Sequence, residues 1–438
     1  MAIAAGLILS AVFFILLFLG VPISVSIAAA SIVTMLTIFP FDVAIFTSAQ
    51  KMVTGIDSFA LLAVPFFILS GIIMNNGGIA MRLINFAKLI SGRLPGSLAH
   101  TNVVGNMLFG SISGSSVAAA AAIGGVMSPL QEKEGYDRTY SAAVNIASAP
   151  TGLLIPPSGL LIIFSLVSGG TSVAALFMAG YLPGILWGLA TMVVACMIAK
   201  KKKYPVAPKI TISQGFKVLL DAIPSLLLIV IVIGGIIAGV FTATEGAAIA
   251  VAYSLLLSLF YRTLKWKQLP KMLLETVEIT AVIMFLVGTS TMLSLVMAFT
   301  GIPTAISNGI LGITDNPILI LLMMNIILLI IGTFMDITPA VLIFTPIFLP
   351  IVESFGMDPV HFGIMIVFNL CIGNITPPVG SALFVGCSIG KVDIERVVKP
   401  ILPFYAAIND RPFNCYLHST NQLSVASIIW TLRQEASV

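Results

Sequence analysis

The chain has 438 residues, 58% of them hydrophobic and 9% charged, with a mean hydropathy of +1.12. That balance leaves too few charges to cover a water-facing surface and excludes a soluble globular fold. The net charge of +4 sits mostly in short loops, where the positive-inside rule accounts for it, so it gives no ground for nucleic-acid binding.

Stretches without Asp, Glu, Lys or Arg set the class. Met1 to Phe41, Ser58 to Met81, Leu94 to Gln131, Thr139 to Ala199, Ala222 to Thr244 and Ile279 to Thr314 are such stretches, most of them long enough for one or more spans. They predict an all-α polytopic protein of the inner-membrane type, embedded in a lipid bilayer. Gly6 to Leu19 is apolar, with no basic segment before it and no small-residue cleavage site after it, and reads as part of a first span. Two spans meet near Gly20-Val21-Pro22. A polar interlude from Asp42 to Asp57 leads to a span from Phe59 to Met74. Asn75-Asn76-Gly77-Gly78 then turns the chain into an amphipathic piece bearing Arg82, Lys88 and Arg93, expected on the cytoplasmic face.

Next comes Gly110 to Ser116, GSISGSS, between the apolar arms Ser97 to Phe109 and Val117 to Leu130. Glycine and serine are poor helix-interior residues, so a break is expected there. In hydrocarbon a broken helix needs protein or an aqueous cavity around its unpaired backbone, and a re-entrant hairpin with its tip at mid-depth satisfies that need. A charged loop, Glu132 to Arg138, closes the hairpin. The following segment is interrupted by Pro150-Thr151-Gly152 and Pro156-Pro157-Ser158-Gly159. Apolar spans run from Phe164 to Ala199 and stop at Lys200 to Lys203. Two more, Ala222 to Phe241 and Ala247 to Tyr261, lead to the basic cluster Arg262 to Lys271; Glu245, after Thr242-Ala243-Thr244, reads as a cap on the second.

Sliding the chain by about 222 residues brings Gly110-Ser111-Ile112 onto Gly332-Thr333-Phe334, and Ile155 to Gly159 onto Thr376 to Gly380. Pro156 lies 46 residues after Gly110, and Pro377 lies 45 after Gly332. Basic residues precede the hairpin in the first half, whereas Lys391, Arg396 and Lys399 follow the paired prolines in the second. The bias predicts halves of opposite orientation, an inverted repeat with two re-entrant hairpins and two broken helices.

The first unit offers Gly110, Ser113, Ser115, Ser116, Asn145, Thr151, Gly152, Ile155 and Pro156; the second offers Gly332, Asp336, Thr338, Asn369, Gly373, Asn374, Thr376 and Val379. Free carbonyls and hydroxyls at such breaks are hard oxygen donors suited to Na⁺, and helix N-termini suit a carboxylate. Serine and glycine also serve close helix packing, and paired prolines also make kinks; the recurrence of tip plus proline pair in both halves favours a site. Asp336 is the one acidic residue between Asn316 and Val352, and coupling to a cation or proton is preferred over a buried structural cap. Three scattered histidines, four cysteines without metal-type spacing and the lack of a phosphate-binding glycine loop argue against a zinc enzyme and against ATP as the energy source. An intramembrane enzyme would need a second acid or a His-rich motif in the spans, so a transporter driven by an ion gradient is the expectation.

GSISGSSVA, PTGLLIPPSG (Pro150 to Gly159), Phe241 to Ala247, Gly332 to Asp336 and Asn374 to Gly380 together resemble the large membrane subunit of tripartite ATP-independent periplasmic (TRAP) transporters, over about Met1 to Tyr405. The resemblance implies Na⁺-driven import of an organic acid across the bacterial inner membrane, with a periplasmic substrate-binding protein and a small four-helix membrane subunit as partners. It also implies an elevator arrangement of scaffold and transport domain: scaffold spans in 1–57, a first repeat in 58–180, connecting spans in 181–283 and a second repeat in 284–408. By similarity, one Na⁺ site falls on Gly110, Ser113, Gly152, Ile155 and Pro156, and a second on Gly332, Gly373, Thr376 and Val379. Substrate contacts are expected from Ser115, Ser116, Asn145, Thr151, Asp336, Thr338 and Asn374. The sialic-acid group looks closest, with C4-dicarboxylates in the same class. The alternative is a stand-alone dicarboxylate carrier or anion antiporter of the same superfamily. Residues 409–438 depart from the pattern: the segment is polar, only Ser424 to Leu432 is mildly apolar, and it reads as a frameshifted or altered end.

Overall fold

The computed structural model describes residues 2–207, 211–312, 314, 316–377 and 380–417, so Val379 and the last part of the polar tail lie outside the described residues. The described residues form helices joined by short connections, with no strand among them. α1 (Ala2–Phe18), α2 (Ile23–Leu36) and α3 (Phe41–Ile56) are followed by α4 (Ala63–Asn76), α5 (Ile79–Ser91), α6 (Ser97–Ser113), α7 (Ser116–Lys133), α8 (Arg138–Ser148), α9 (Thr151–Leu154), α10 (Gly159–Val167) and α11 (Val173–Lys202). Then come α12 (Ile212–Ile237), α13 (Ala243–Phe260), α14 (Leu269–Thr300), α15 (Ile302–Leu311), α16 (Pro317–Phe334), α17 (Ile337–Ser354), α18 (Pro359–Asn374), α19 (Ser381–Gly390) and α20 (Ile394–Leu417). Among the described residues, seven helices are long and apolar enough to cross a bilayer, or eight if the bent pair α8–α9 plus α10 counts as one span. This is a multi-pass membrane protein.

The helix-breaking unit occurs twice. α6 and α7 form one hairpin and α16 and α17 the other; α8–α9 with α10, and α18 with α19, are the two broken helices. The halves interleave by exchange, since α19 packs on α7 and α8 while α10 packs on α17 and α18. Burial grades outward from this unit. Nearly every residue of α18 is buried, as expected of a helix apolar on all sides. α8 is as deeply buried although it carries polar residues, and its Asn145 and Ser148 are hydrogen-bonded there, whereas α12, α13 and α16 bury one face only. Trp187 of α11 ties the centre together: its indole N–H donates to Ala147 O at 2.7 Å and its ring meets Phe368 edge-on at 5.0 Å.

The structure departs from the sequence reading at three places. The polar interlude after Phe39 is a helix, α3, laid against α14, because its amphipathic pattern gives it one face to bury. GSISGSS is helical through Ser113, and only Gly114 and Ser115 break it; packing of Gly110 against α9 outweighs the low helix propensity of the last turn. Phe164 to Ala199 is not a series of spans but the end of α10 and one 30-residue helix, α11. The first stretch of the polar tail continues α20 as helix to Leu417.

The connections are locally determined. Gly114 ends α6 in the left-handed region at φ 62°, where a side chain is disfavoured, and its N–H donates to Gly110 O at 2.8 Å. Thr242 and Glu245 form a capping box at the start of α13, so Glu245 is a cap as its position implied. Asp137 caps α8 and accepts from Lys202 Nζ at 3.0 Å. Partial burial opposes its charge, but hydrogen bonds from Thr139 and Lys202 outweigh burial and bring its carboxyl down to about 2.

Candidate functional site

Both hairpin tips open onto one cavity of about 150 Å³. The first tip contributes Ser113, Gly114, Ser115 and Ser116, the second Asp336, Ile337 and Thr338, and the broken helices Gly159 and Ser381. Four helices therefore begin at this cavity: α7, α10, α17 and α19. Each N-terminus carries free N–H groups and about half a positive charge, so the four together favour an anion. The opposite wall is apolar, formed by Val64, Phe67 and Ile68 of α4 and Ile279 and Ile283 of α14.

The two tips are equivalent in backbone and opposite in chemistry. Ser115 and Asp336 are both N-cap residues with extended backbone. Ser115 Oγ spends itself on the cap, accepting from Ala118 N at 3.3 Å. Asp336, a residue type that caps well, makes no side-chain cap bond. Its carboxylate Oδ1 instead lies 2.9 Å from Ser381 Oγ. Ser381 Oγ is also 2.5 Å from Asn374 Oδ1, and Asn374 Nδ2 donates to Ser116 Oγ at 2.8 Å. A chain Asp336, Ser381, Asn374, Ser116 thus links the two repeats along the cavity edge. The Ala382 N–H donates to Asn374 Oδ1 at 3.2 Å, which fixes which way that amide points.

Behind the tips, each hairpin touches its broken helix glycine to glycine. A Cβ on Gly110 would stand 2.4 Å from Gly152 Cα, and one on Gly373 would stand 2.5 Å from Gly332 C. At the first crossing neither glycine admits a side chain, since a Cβ on Gly152 would also stand 2.4 Å from Gly110 Cα; at the second the block is at Gly373, while a Cβ on Gly332 would stand 3.3 Å from Gly373 Cα. A buried asparagine pair backs each crossing. Asn106 Nδ2 donates to Asn145 O at 3.3 Å and Oδ1 at 3.1 Å, and Asn369 Nδ2 donates to Asn325 O at 3.0 Å and Oδ1 at 2.8 Å. The two pairs run in opposite senses, the donor being on the hairpin in the first repeat and on the broken helix in the second.

Of the residues expected at the site, Ser113, Ser115, Ser116, Asp336 and Thr338 line the cavity, and Asn374 stands one hydrogen bond behind it. Gly110 with Gly152, and Gly332 with Gly373, are brought together at the crossings. Ile155 and Pro156 are buried in the non-helical bend between α9 and α10. The Thr376 hydroxyl donates to Ile372 O at 2.6 Å and lies in hydrogen-bonding contact with the Tyr405 hydroxyl. Asn145 and Thr151 do not reach the cavity: Asn145 donates to Ala120 O at 2.9 Å, and Thr151 Oγ1 donates to Ser148 O at 2.6 Å. Sequence reasoning missed Ser381 and the apolar wall. Ser381 has a signal, a hydroxyl one residue past the second break, whereas the isoleucines of α14 have none, because an apolar residue in a span looks the same whichever way it faces.

No group of three His, Cys, Asp or Glu side chains that could hold a metal ion occurs among the described residues. Residues 10–411 match the family model described as tripartite ATP-independent periplasmic transporter, DctM component. The chain belongs to that family. This DctM-family chain is 57% identical over 396 residues to the uncharacterized protein YgiK of Salmonella typhimurium, covering 90% of the chain and 91% of that protein. It is 39% identical over 389 residues to the sialic acid TRAP transporter large permease protein SiaM of Vibrio cholerae, covering 89% and 90% of the two. The crystal structure of the YdaH transporter of Alcanivorax borkumensis shares the fold of this DctM-family chain, with a TM-score of 0.59 at 13% identity over 88% of each. Family membership makes it a transporter permease of the inner membrane and not an enzyme, and residues 412–438 lie beyond the match.

Proposed function

We propose that this chain is the large permease subunit of a Na⁺-coupled importer of a small organic acid, of the sialic-acid or C4-dicarboxylate class. The observation that carries the reading is the convergence of four helix N-termini and one uncapped carboxylate on a single cavity. The N-termini attract a carboxylate; Asp336 beside them would repel it unless a cation is bound as well. Binding of anion and cation is then mutually dependent, which is what coupling requires. Ser113 with the Gly110, Gly152, Ile155 and Pro156 backbone, and Thr376 with that of Gly332 and Gly373, offer neutral hard oxygens that fit Na⁺; the ion would supply the gradient that drives uptake. The close glycine crossings support that fit.

The exchange of α10 and α19 between repeats supports an inverted pair moving as one transport domain against the outer helices, in an elevator motion. Membership in the DctM family supports a small membrane subunit and a periplasmic binding protein as partners, and the sialic-acid permease among its relatives supports the substrate class. The test is uptake into proteoliposomes holding the permease with its small subunit, with the binding protein and labelled sialic acid or C4-dicarboxylate outside. Uptake that requires both an inward Na⁺ gradient and the binding protein is expected; equal uptake in choline removes the coupling, and full uptake by the permease alone favours the stand-alone carrier.

A further inference from the structure

A second space, far smaller than the first, lies at the foot of the first hairpin. It holds about 10 Å³ and is lined by Asn102 of α6, Ser128 and Gln131 of α7 and Ser141 of α8, with Gly386 and Gly390 of α19 on the remaining side. Asn102, Gln131 and Ser141 are at most 4% exposed. Three of their polar atoms have no partner within the protein: Asn102 Nδ2, Gln131 Oε1 and Ser141 Oγ. Unpaired polar atoms in a membrane interior are costly, and three around one space call for a common partner.

The orientation of both amides is set by backbone carbonyls. Gln131 Nε2 donates to Leu98 O at 3.2 Å, so the end facing the space is the acceptor. Asn106 Nδ2 is directed at Asn145 O and at Asn102 Oδ1, 3.3 and 3.1 Å away, so Asn102 presents its NH₂. The occupant must therefore accept from Asn102 and donate to Gln131. A metal cation could be coordinated by Gln131 Oε1 but cannot accept from Asn102, and it would meet the positive end of the Asn102 N–H bond. The volume matches one solvent molecule. We propose that a single buried water occupies this space as a fixed part of the fold, accepting from Asn102 Nδ2 and donating to Gln131 Oε1, with Ser141 Oγ as its third partner.

Such a water joins both arms of the first hairpin to α8 at the point where α19 of the other repeat closes over them. The glycines of α19 allow that closure: a Cβ on Gly386 would stand 2.2 Å from Ile146 Cγ1, and one on Gly390 2.9 Å from Ala142 Cβ. The foot of the hairpin is thereby braced independently of any ion at the tip.

Cryo-electron microscopy of the unmodified permease with its small subunit, at a resolution that shows ordered solvent, tests this directly. Rounded density within about 3.2 Å of Asn102 Nδ2 and Gln131 Oε1 is expected in Na⁺ buffer and in choline buffer alike. No density, or density only with Na⁺, overturns the proposal. Thermal unfolding supplies a second readout, with Gln131→Met and Ser141→Ala made singly and together. Each single change is expected to lower the Tm by a few degrees, and the double to lower it no further than the worse single, since the water leaves with the first partner lost. Additive losses overturn it.

Discussion

The two repeats share a backbone plan and differ in how they are held. In the first, Asn102, Asn106, Asn145 and Ser148 form a buried polar ladder between hairpin and broken helix, and α7 is covered by α19. In the second, one pair, Asn325 and Asn369, does that work, and much of α16 faces outward with Ile318, Ile326 and Ile330 exposed. The chemistry at the tips is distributed the other way. The braced hairpin carries hydroxyls engaged in caps and links, while the more lightly held one carries the cavity's carboxylate, which caps no helix and accepts from Ser381 Oγ. Asp336 is left uncapped by its own helix while the buried asparagine pairs hold each hairpin to its broken helix.

The largest expected effect comes from exchanging chemistry at equivalent tips. Asp336→Asn is expected to bring Na⁺-dependent uptake to background with the Tm nearly unchanged, because the side chain caps nothing. Ser115→Ala, the matching change in the first repeat, is expected to cost about 1 kcal/mol of stability through its lost cap and to leave measurable uptake. Uptake and thermal unfolding of both variants check this. Coupled uptake by Asp336→Asn at the unmodified rate would return that carboxylate to a structural role.

Gly110→Ala and Gly373→Ala probe the crossings at the position in each repeat where an added Cβ would meet backbone at 2.4 and 2.5 Å. Each is expected to destabilise by about 1 to 3 kcal/mol through forced separation of hairpin and broken helix, read as loss of monodisperse protein on size exclusion. Tolerance at one and not the other would show that the second crossing can open where the first cannot. The asparagine pairs should respond unequally. Asn145→Ala removes bonds to Asn106 and Ala120 and is expected to cost about 2 to 3 kcal/mol, whereas Asn369→Ala removes bonds to Asn325 alone and is expected to cost about 1. Comparative denaturation gives the ratio, and equal losses would contradict the unequal bracing.

The smallest effect lies at the closing loop of the first hairpin. With the folded Asp137 carboxyl held at about 2, below its ordinary value of 3.8, its contribution is fully present above that ordinary value and is lost as pH falls toward 2. Asp137→Asn keeps a good capping residue and removes the Lys202 contact. It is expected to cost about 0.5 kcal/mol at neutral pH, as exposed ion pairs do, and to flatten the fall in Tm on acidification. An unchanged acid slope would assign that slope to other carboxylates.

Composition and the positions of helix breakers were enough to determine a polytopic helical membrane protein and the places where its helices are interrupted, since uncharged runs and prolines act through the local backbone wherever they occur. Four of the seven expected substrate residues line the cavity for the same reason: they sit at breaks, and breaks are local. What only the tertiary structure decided is which polar residues of the interior face the cavity and which face each other. Asn145 and Asn374 are indistinguishable by type and by depth in the chain, yet one is consumed in a helix-to-helix bond and the other stands beside Ser116 and Ser381. The apolar wall of α4 and α14 was likewise invisible, because the rotation of a span about its axis is set by what packs against it and leaves no mark on hydropathy.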